Sequence, residues 1–506
     1  MSPNQNINRL RFLIGLISVL FQVYIIFYPQ VPMFQRPLHL TLAIILVLLW
    51  SPLTSNRMSV KLCGVIDAVL VATAASALIY YMQDIERLTS RMETVDDIFL
   101  YDKVLGLALL IVLLEAVRRV VGWMLLGVIF FFVLYAFAGK WFPGWLAFQG
   151  FSFEEMIEIL TMSANGVLGI TTATSVQFVF YFVAFGAIYS ATGGGQLFID
   201  IGMRVSGRNK GGAAKAAIVS SSLMGSISGS AVANVTATGI FTIPLMRRSG
   251  YTAESAAATE AIASTGGQLM PPIMGIAAFV MAELLQISYV KVALAGIIPA
   301  LAFYFAIFIY VDFQARKSGI GTLSASDFGE TEPILPRLHL LLPPIVLVAM
   351  LISGYSATYS AVIGSVAAIA MAYVKRENWL NLEDLMDVVR NATRQAAEVA
   401  VPIAAIGVII SVSIQSNLAL KFAEGLIDLS GGTLIPAMMF IIVGCIIMGM
   451  GLPTVAAYII GAILFVPALQ NLGIPELSAH FFVMYYCVLS MVTPPVALAS
   501  YTAAGV

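Results

Sequence analysis

The sequence predicts an all-α integral membrane protein, an inverted repeat carrying two re-entrant helical hairpins behind an N-terminal four-helix domain. Three observations predict it. First, 60% of the 506 residues are hydrophobic and only 10% charged, with a mean hydropathy of +0.94, and about 20 apolar residues cross a bilayer as a helix. Second, two apolar stretches broken by Gly and Pro recur at one offset: Pro244, Gly250, Pro271 and Pro272 map onto Pro467, Gly473, Pro494 and Pro495. The offset is 467 − 244 = 223, and the interval within each copy is 271 − 244 = 494 − 467 = 27. Third, the basic residues give the two copies opposite sidedness.

The first four predicted spans, at 10–28, 38–53, 62–82 and 103–117, make up a domain over 1–120. Arg9 with Arg11, Arg57 with Lys61, and Arg118 with Arg119 fall on one side if every span crosses. Lys and Arg accumulate in cytoplasmic loops, so that side and the N-terminus are cytoplasmic. The first apolar run has no small-residue cleavage site and does not read as a signal peptide.

The first repeat covers 121–313. A span at 121–138 leads to Trp141 and Trp145, which suit the headgroup boundary. FSFEEMIEIL (151–160) reads as a short amphipathic helix, with Phe153, Met156, Ile157 and Leu160 on one face. The span at 171–191 then delivers the chain to Arg204, Arg208, Lys210 and Lys215. The next apolar segment, 213–247, ends at Arg247 and Arg248, so it is basic on both flanks and enters and leaves on the same side. Two helices of about 15 residues reach only some 22 Å, less than the hydrocarbon core, so the segment reads best as a re-entrant hairpin, with a single long kinked span as the competing reading. A broken run to Glu283 and a span at 289–313 complete the copy.

A polar cytoplasmic linker, 314–337, separates the repeats. The second repeat, 338–506, has spans at 338–353 and 358–374, an amphipathic helix NLEDLMDVVRNATRQ (381–395) carrying Arg390 and Arg394, a span at 396–414 and a surface segment at 418–429. Its hairpin, 433–470, contains no Lys or Arg and therefore enters from the outer face. The chain stops at Val506 directly after the second Pro-Pro segment, where the first copy continues into a span, so one closing helix is expected to be missing.

In hydrocarbon, non-helical backbone is tolerated only where protein buries it or it lines a wet cavity. Matched Gly/Pro-interrupted segments in two halves of a chain point to the midplane binding site of a secondary transporter. Helices starting at a hairpin tip present unpaired N–H groups that hold an anion such as a carboxylate. The hydroxyls of Ser226, Ser228, Ser230, Thr265, Thr454 and Thr493 suit a small hard cation, although each can instead bond back to its own helix. Asn234 and Gln268 add amides that donate and accept. Gly229, Gly266, Gly267, Gly449 and Gly451 permit unwound backbone, or simply close helix packing. Pro271, Pro453, Pro494 and Pro495 free the carbonyls of the preceding turn. Glu260, inside an Ala-rich helix, is placed to bind a proton or orient the site, whereas Asp67 reads as an inter-helix contact.

A net charge of −1 argues against nucleic-acid binding. Cys63, Cys445 and Cys487 have neither disulfide nor zinc spacing, and His39, His339 and His480 are too scattered for a catalytic cluster. No enzymatic activity and no cofactor are expected.

The motifs SISGSAVANVTATGIFTIPLMRRSGY (226–251), STGGQLMPPIMGIAAF (264–279), GMGLPTVAAY (449–458) and SMVTPPVA (490–497) resemble the large membrane subunit of the tripartite ATP-independent periplasmic (TRAP) transporters. The similarity is to the TAXI-associated subgroup, in which small and large membrane subunits are fused. It covers about 120–506, while the first four spans match the small subunit in number and position. The resemblance implies an inner-membrane, elevator-type transporter whose hairpins and Pro-broken partner helices move as a block against a scaffold that the four-span domain extends. It implies a small organic acid delivered by a periplasmic substrate-binding protein, with Na+ as coupling ion and a proton as the alternative. Carried over by position, the cation sites would be the 226–234 tip with 265–268, and 449–454 with 493–495. Asn234 stands where the family more usually has Asp, which leaves the charge of that site open. A stand-alone divalent-anion/Na+ symporter is one competing reading. A membrane-embedded serine hydrolase built on GSISG (225–229) is another, against which stands the absence of a histidine near Ser228 in sequence.

Overall fold

The computed structural model describes residues 3–54, 59–163, 165–207, 209–323, 333–376, 379–494 and 496–506. Arg57, Arg208, Pro495 and the linker segment 324–332, all invoked above, lie outside the described residues. Among those described, nine helices are long and apolar enough to cross a membrane, and the chain is a multi-pass, all-helical membrane protein. It divides into two compact units: Met1–Phe180 with Leu385–Phe440 and Ala462–Ile474, and Tyr181–Asp384 with Ile441–Gly461 and Pro475–Val506.

The first unit begins with α1 (Pro3–Phe27), α2 (Pro32–Trp50), α3 (Val60–Gln83), the short α4 (Ile85–Ser90), α5 (Leu100–Val120) and α6 (Trp123–Ala138). Pro32 opens α2, where a missing N–H costs nothing. Several polar side chains on these apolar helices are paired with one another, as low dielectric favours. His39 on α2 bridges Gln22 on α1 (2.8 Å) and the Ser175 hydroxyl (2.9 Å). Asp67 on α3 is the inter-helix contact expected of it, lying 2.7 Å from Arg119 on α5 and accepting from Leu53 N at 3.0 Å. Asp102, fully buried at the start of α5, accepts from the Tyr80 hydroxyl at 2.5 Å and from Phe99 N at 2.9 Å, and pairs with Arg87 at 2.5 Å.

The segment 151–160 starts as the short helix expected, with Met156, Ile157 and Leu160 buried and Phe153 exposed, but does not continue as one. It is a five-residue helix, α7 (Phe153–Ile157), capped by Ser152 and Glu155, that widens into a π-turn over Glu158–Met162. Every residue from Met156 to Met162 is buried, including Glu158, because Arg91 reaches its carboxylate at 2.8 Å and Thr94 N donates to it at 2.8 Å. A partner distant in sequence thus turned the polar side of the segment inward. The chain continues through α8 (Ile170–Thr174) and a second π-turn, Ser175–Val179.

The second unit takes up α9 (Phe180–Ala191) from Tyr181 and holds α10 (Gly194–Ser206), α11 (Gly212–Ser228), α12 (Ala231–Arg248), α13 (Ala253–Gly266), α14 (Ile276–Leu284), α15 (Tyr289–Lys317), α16 (Leu342–Ile352) and α17 (Ala357–Ala372). Two ion pairs fix its polar ends: the buried pair of Asp200 on α10 with Arg337, and the half-buried pair of Lys215 on α11 with Asp312 on α15 at 2.5 Å.

The amphipathic segment 381–395 and the span 396–414 are one continuous helix, α18 (Leu382–Gln415), since no Gly or Pro stands between them. It is followed by α19 (Leu418–Leu429), α20 (Leu434–Gly449), α21 (Thr454–Asn471), α22 (Glu476–Leu489) and α23 (Leu498–Ala504). The repeat read from the prolines is written into the helix bounds. Adding 223 to 231–248 gives 454–471, which is α21; adding it to 253–266 gives 476–489, which is α22. The 3-10 turn Gly267–Leu269 likewise maps onto Ser490–Val492.

Replacing Arg91 by Ala strands the Glu158 carboxylate in the interior of the first unit. A loss of about 3–5 kcal/mol is expected, read as a lowered midpoint in thermal unfolding of the detergent-solubilised protein, with much of it recovered in the Arg91→Met/Glu158→Gln double variant.

Candidate functional site

The first tip forms because α11 ends at Gly229, whose φ of +62° is left-handed and whose position would bring a Cβ to 2.5 Å from Met274 O. α12 starts at once, with Ser230 as N-cap accepting from Ala233 N at 3.3 Å. The two helices fold back on each other, so that the hydroxyls of Ser221 and Thr238 lie 3.1 Å apart. Their contact with α13 is backbone on backbone: a Cβ on Gly225 would sit 2.4 Å from the Gly267 Cα and 3.0 Å from Asn234 Nδ2. Gly266 is equally committed, because the Phe303 ring would be 2.2 Å from its Cβ.

The break after α13 is satisfied largely by the protein itself. Gln268 O accepts from Gly275 N (2.7 Å), Gly267 O from Met270 N (3.1 Å), Met270 O from Met274 N (3.2 Å), and Ser226 O from Ile273 N (3.1 Å). The carbonyls near Pro271 and Pro272 are therefore not left open, contrary to what proline breaks alone imply, although each keeps a second lone pair. The Tyr289 hydroxyl closes the turn on Pro272 O at 2.8 Å.

The second tip is the turn between α20 and α21, where Gly451 has φ +81° and Leu452 N donates to Gly449 O at 3.3 Å. Gly449 packs against Ser490, whose Oγ would lie 2.1 Å from a Cβ there. The second tip meets the break after α13: Thr454 Oγ1 donates to Gln268 Oε1 at 2.9 Å, between residues 186 apart in sequence and within the second unit.

The other candidate hydroxyls divide. Ser226, Thr265 and Thr493 bond back to Leu223 O (2.7 Å), Ala261 O (2.7 Å) and Leu489 O (2.9 Å). The Ser228 Oγ and the Asn234 Oδ1 are buried atoms with no hydrogen-bond partner, and Asn234 is fully buried. The Asn234 amide nitrogen is held by Ser221 O at 2.8 Å, which turns the orphaned oxygen away from it. Pro494 lies in an exposed turn.

A second polar cluster surrounds Glu260. Its carboxylate, 0% exposed, accepts from four hydroxyls: Ser221 (2.8 Å), Thr238 (2.5 Å), Thr242 (2.6 Å) and Ser264 (2.9 Å). Sequence reasoning named Glu260 but not these donors. The signal that finds them is the i, i+4, i+8 stripe Asn234–Thr238–Thr242, polar residues on one face of an otherwise apolar helix. Thr242 also lines a cavity of about 230 Å³ shared with Gln196, Asp200 and Arg248.

The sequence matches a family model described as the tripartite ATP-independent periplasmic transporter, DctM component, over residues 107–506. The chain belongs to this TRAP family. It is 24% identical to a putative TRAP transporter large permease protein of Haemophilus influenzae over 322 residues, 62% of this chain and 74% of the relative. It is 23% identical to the 2,3-diketo-L-gulonate TRAP transporter large permease protein of Escherichia coli, over 68% of this chain and 80% of the relative. It is also 23% identical to the sialic acid TRAP transporter large permease protein of Vibrio cholerae, over 69% and 81%. These are transport permeases rather than enzymes. The His480 ring is bonded to the Tyr458 hydroxyl at 2.8 Å.

Gly225→Leu drives a side chain into the backbone of Gly267, which cannot swing aside. A loss of about 1–3 kcal/mol or more is expected, seen as a lower thermal midpoint, with Gly225→Ala intermediate.

Proposed function

We propose that this chain is the fused membrane permease of a TRAP system of the TAXI-associated subgroup, sitting in an inner membrane with its N-terminus in the cytoplasm. It takes up a small organic acid handed over by a periplasmic substrate-binding protein, in symport with Na+. The two broken segments are the hairpin tips of an inverted repeat, re-entering the membrane from opposite faces. They carry the site and move together as the mobile block of an elevator, with 1–120 extending the scaffold, 121–313 and 338–506 as the two repeats, and 314–337 as the cytoplasmic linker.

The observation that supports this reading best is the Thr454–Gln268 bond, 2.9 Å long, which links the second tip to the first Pro-Pro segment in one buried cluster. The orphaned, buried Asn234 Oδ1 is an amide oxygen of the kind a small hard cation's coordination calls for, alongside hydroxyl and carbonyl oxygens. The N-termini of α12 and α21, which begin at the two tips, favour a carboxylate.

Proteoliposomes holding the chain should accumulate a labelled organic acid only when the cognate binding protein and an inward Na+ gradient are both supplied. Gln268→Ala should raise the Na+ concentration for half-maximal uptake about tenfold, the equivalent of about 1.4 kcal/mol. Uptake at full rate without the binding protein would favour the stand-alone symporter, and uptake driven equally by a pH gradient in Na+-free buffer would replace Na+ by a proton.

A further inference from the structure

Glu260 is a carboxylate sealed inside the second unit with hydroxyls for neighbours and, among the described residues, no ion pair. Buried charges ordinarily have an opposite charge beside them. Four O–H donors satisfy the ionised form as an acceptor with about four lone-pair sites, but they bring no positive charge. Asn234 presents the complementary problem: it holds a buried oxygen aimed at no partner and carries no negative charge to stabilise a cation there.

The two residues are joined by three others, each with one contact on either side. Ser221 donates its hydroxyl to Glu260 and accepts the Asn234 amide on its carbonyl, at 2.8 Å each. Ser264 donates to Glu260 at 2.9 Å, and its carbonyl lies 3.5 Å from Asn234 Nδ2. Thr238 has a single hydrogen and two acceptors, Glu260 Oε1 at 2.5 Å and Asn234 O at 2.8 Å. Thr242 has the same choice between Glu260 Oε2 (2.6 Å) and Thr238 O (3.0 Å). Both threonine hydrogens face the carboxylate when it is ionised and have backbone acceptors to turn to when it carries a proton.

We infer that Glu260 is the remote counter-charge of a cation held at Asn234, acting through Ser221, Thr238 and Ser264, so that a proton on Glu260 and a cation at Asn234 exclude each other. The inference rests on the reading above that Asn234 belongs to a cation site. Glu260 is here a positioning and charge-supplying residue that does not itself touch the ion. The cavity bordered by Thr242, Gln196 and Asp200 gives the proton its approach.

The sign follows from linkage. A cation nearby favours the ionised carboxylate, and by reciprocity a protonated carboxyl weakens cation binding by the same factor. Other titratable groups on the elements packed around α13 are engaged or remote. Tyr304 on α15 donates to Ala263 O at 2.9 Å, and Lys215 on α11 is paired with Asp312. Arg247 and Arg248 sit in the exposed last turn of α12, and Tyr501 on α23 is exposed. On α22, His480 is bonded to Tyr458, the Cys487 thiol lies against that of Cys445, Tyr485 packs on Phe303, and Glu476 lies in the first turn, with Tyr486 beside Phe482.

The test is equilibrium binding of radioactive Na+ to the whole chain in nanodiscs between pH 5.5 and 8. Wild type should lose affinity as pH falls, approaching about tenfold per unit on the acid side, and should be flat at alkaline pH. Glu260→Gln should bind at least about tenfold more weakly at pH 8, with no pH dependence. Asn234→Asp/Glu260→Gln, which moves the charge rather than removing it, should recover both affinity and pH dependence, as Glu260→Asp should in part. Wild-type affinity and pH profile in Glu260→Gln overturn the proposal while leaving the cation site standing. No Na+ binding by wild type at any pH overturns both. If Glu260→Gln does not elute as a folded particle, the double variant decides, and weak, pH-independent binding there overturns the proposal.

Discussion

Backbone and side-chain polar groups inside a bilayer have no water to fall back on, and the second unit is organised by that constraint. Around Glu260 four hydroxyls take the place of a hydration shell. Because they come from α11, α12 and α13, meeting the carboxylate's needs also fixes both hairpin helices against their partner. The glycine contact between Gly225 and Gly267 works in the same direction, bringing backbone to backbone where any side chain would hold the helices apart. The hairpin is thus shaped by a polar cluster and a steric gap acting together.

The first unit meets the same constraint with ion pairs. Asp102, Glu158 and Asp67 each find an arginine, and His39 finds two neutral partners. A charge paired in this way is structural, and its removal is felt as lost stability. Glu260 differs in having, among the described residues, donors without a counter-ion.

Membership of the TRAP family fits the chemistry at the tips, where oxygens and amides predominate and the hydroxyls largely serve their own helices. The relatives at 23–24% identity carry names that include 2,3-diketo-L-gulonate and sialic acid, both acids.

By itself the sequence determined most of the helices, the position of the breaks and the offset between the two copies. Gly, Pro and the caps act on their own neighbourhood, so one offset of 223 transfers directly into helix bounds. It also singled out Asn234, Gln268, Thr454 and Glu260 as polar residues in apolar surroundings. Tertiary structure alone decided what those residues meet. A serine or threonine in a helix always has its own preceding carbonyl available, and whether it prefers a partner 186 residues away, as Thr454 does, or 39 away, as Ser221 does, depends on which helices pack together. The burial of Glu158 belongs to the same class, because only the fold brings Arg91 to it, and a local amphipathic pattern carries no record of a charge waiting elsewhere in the chain.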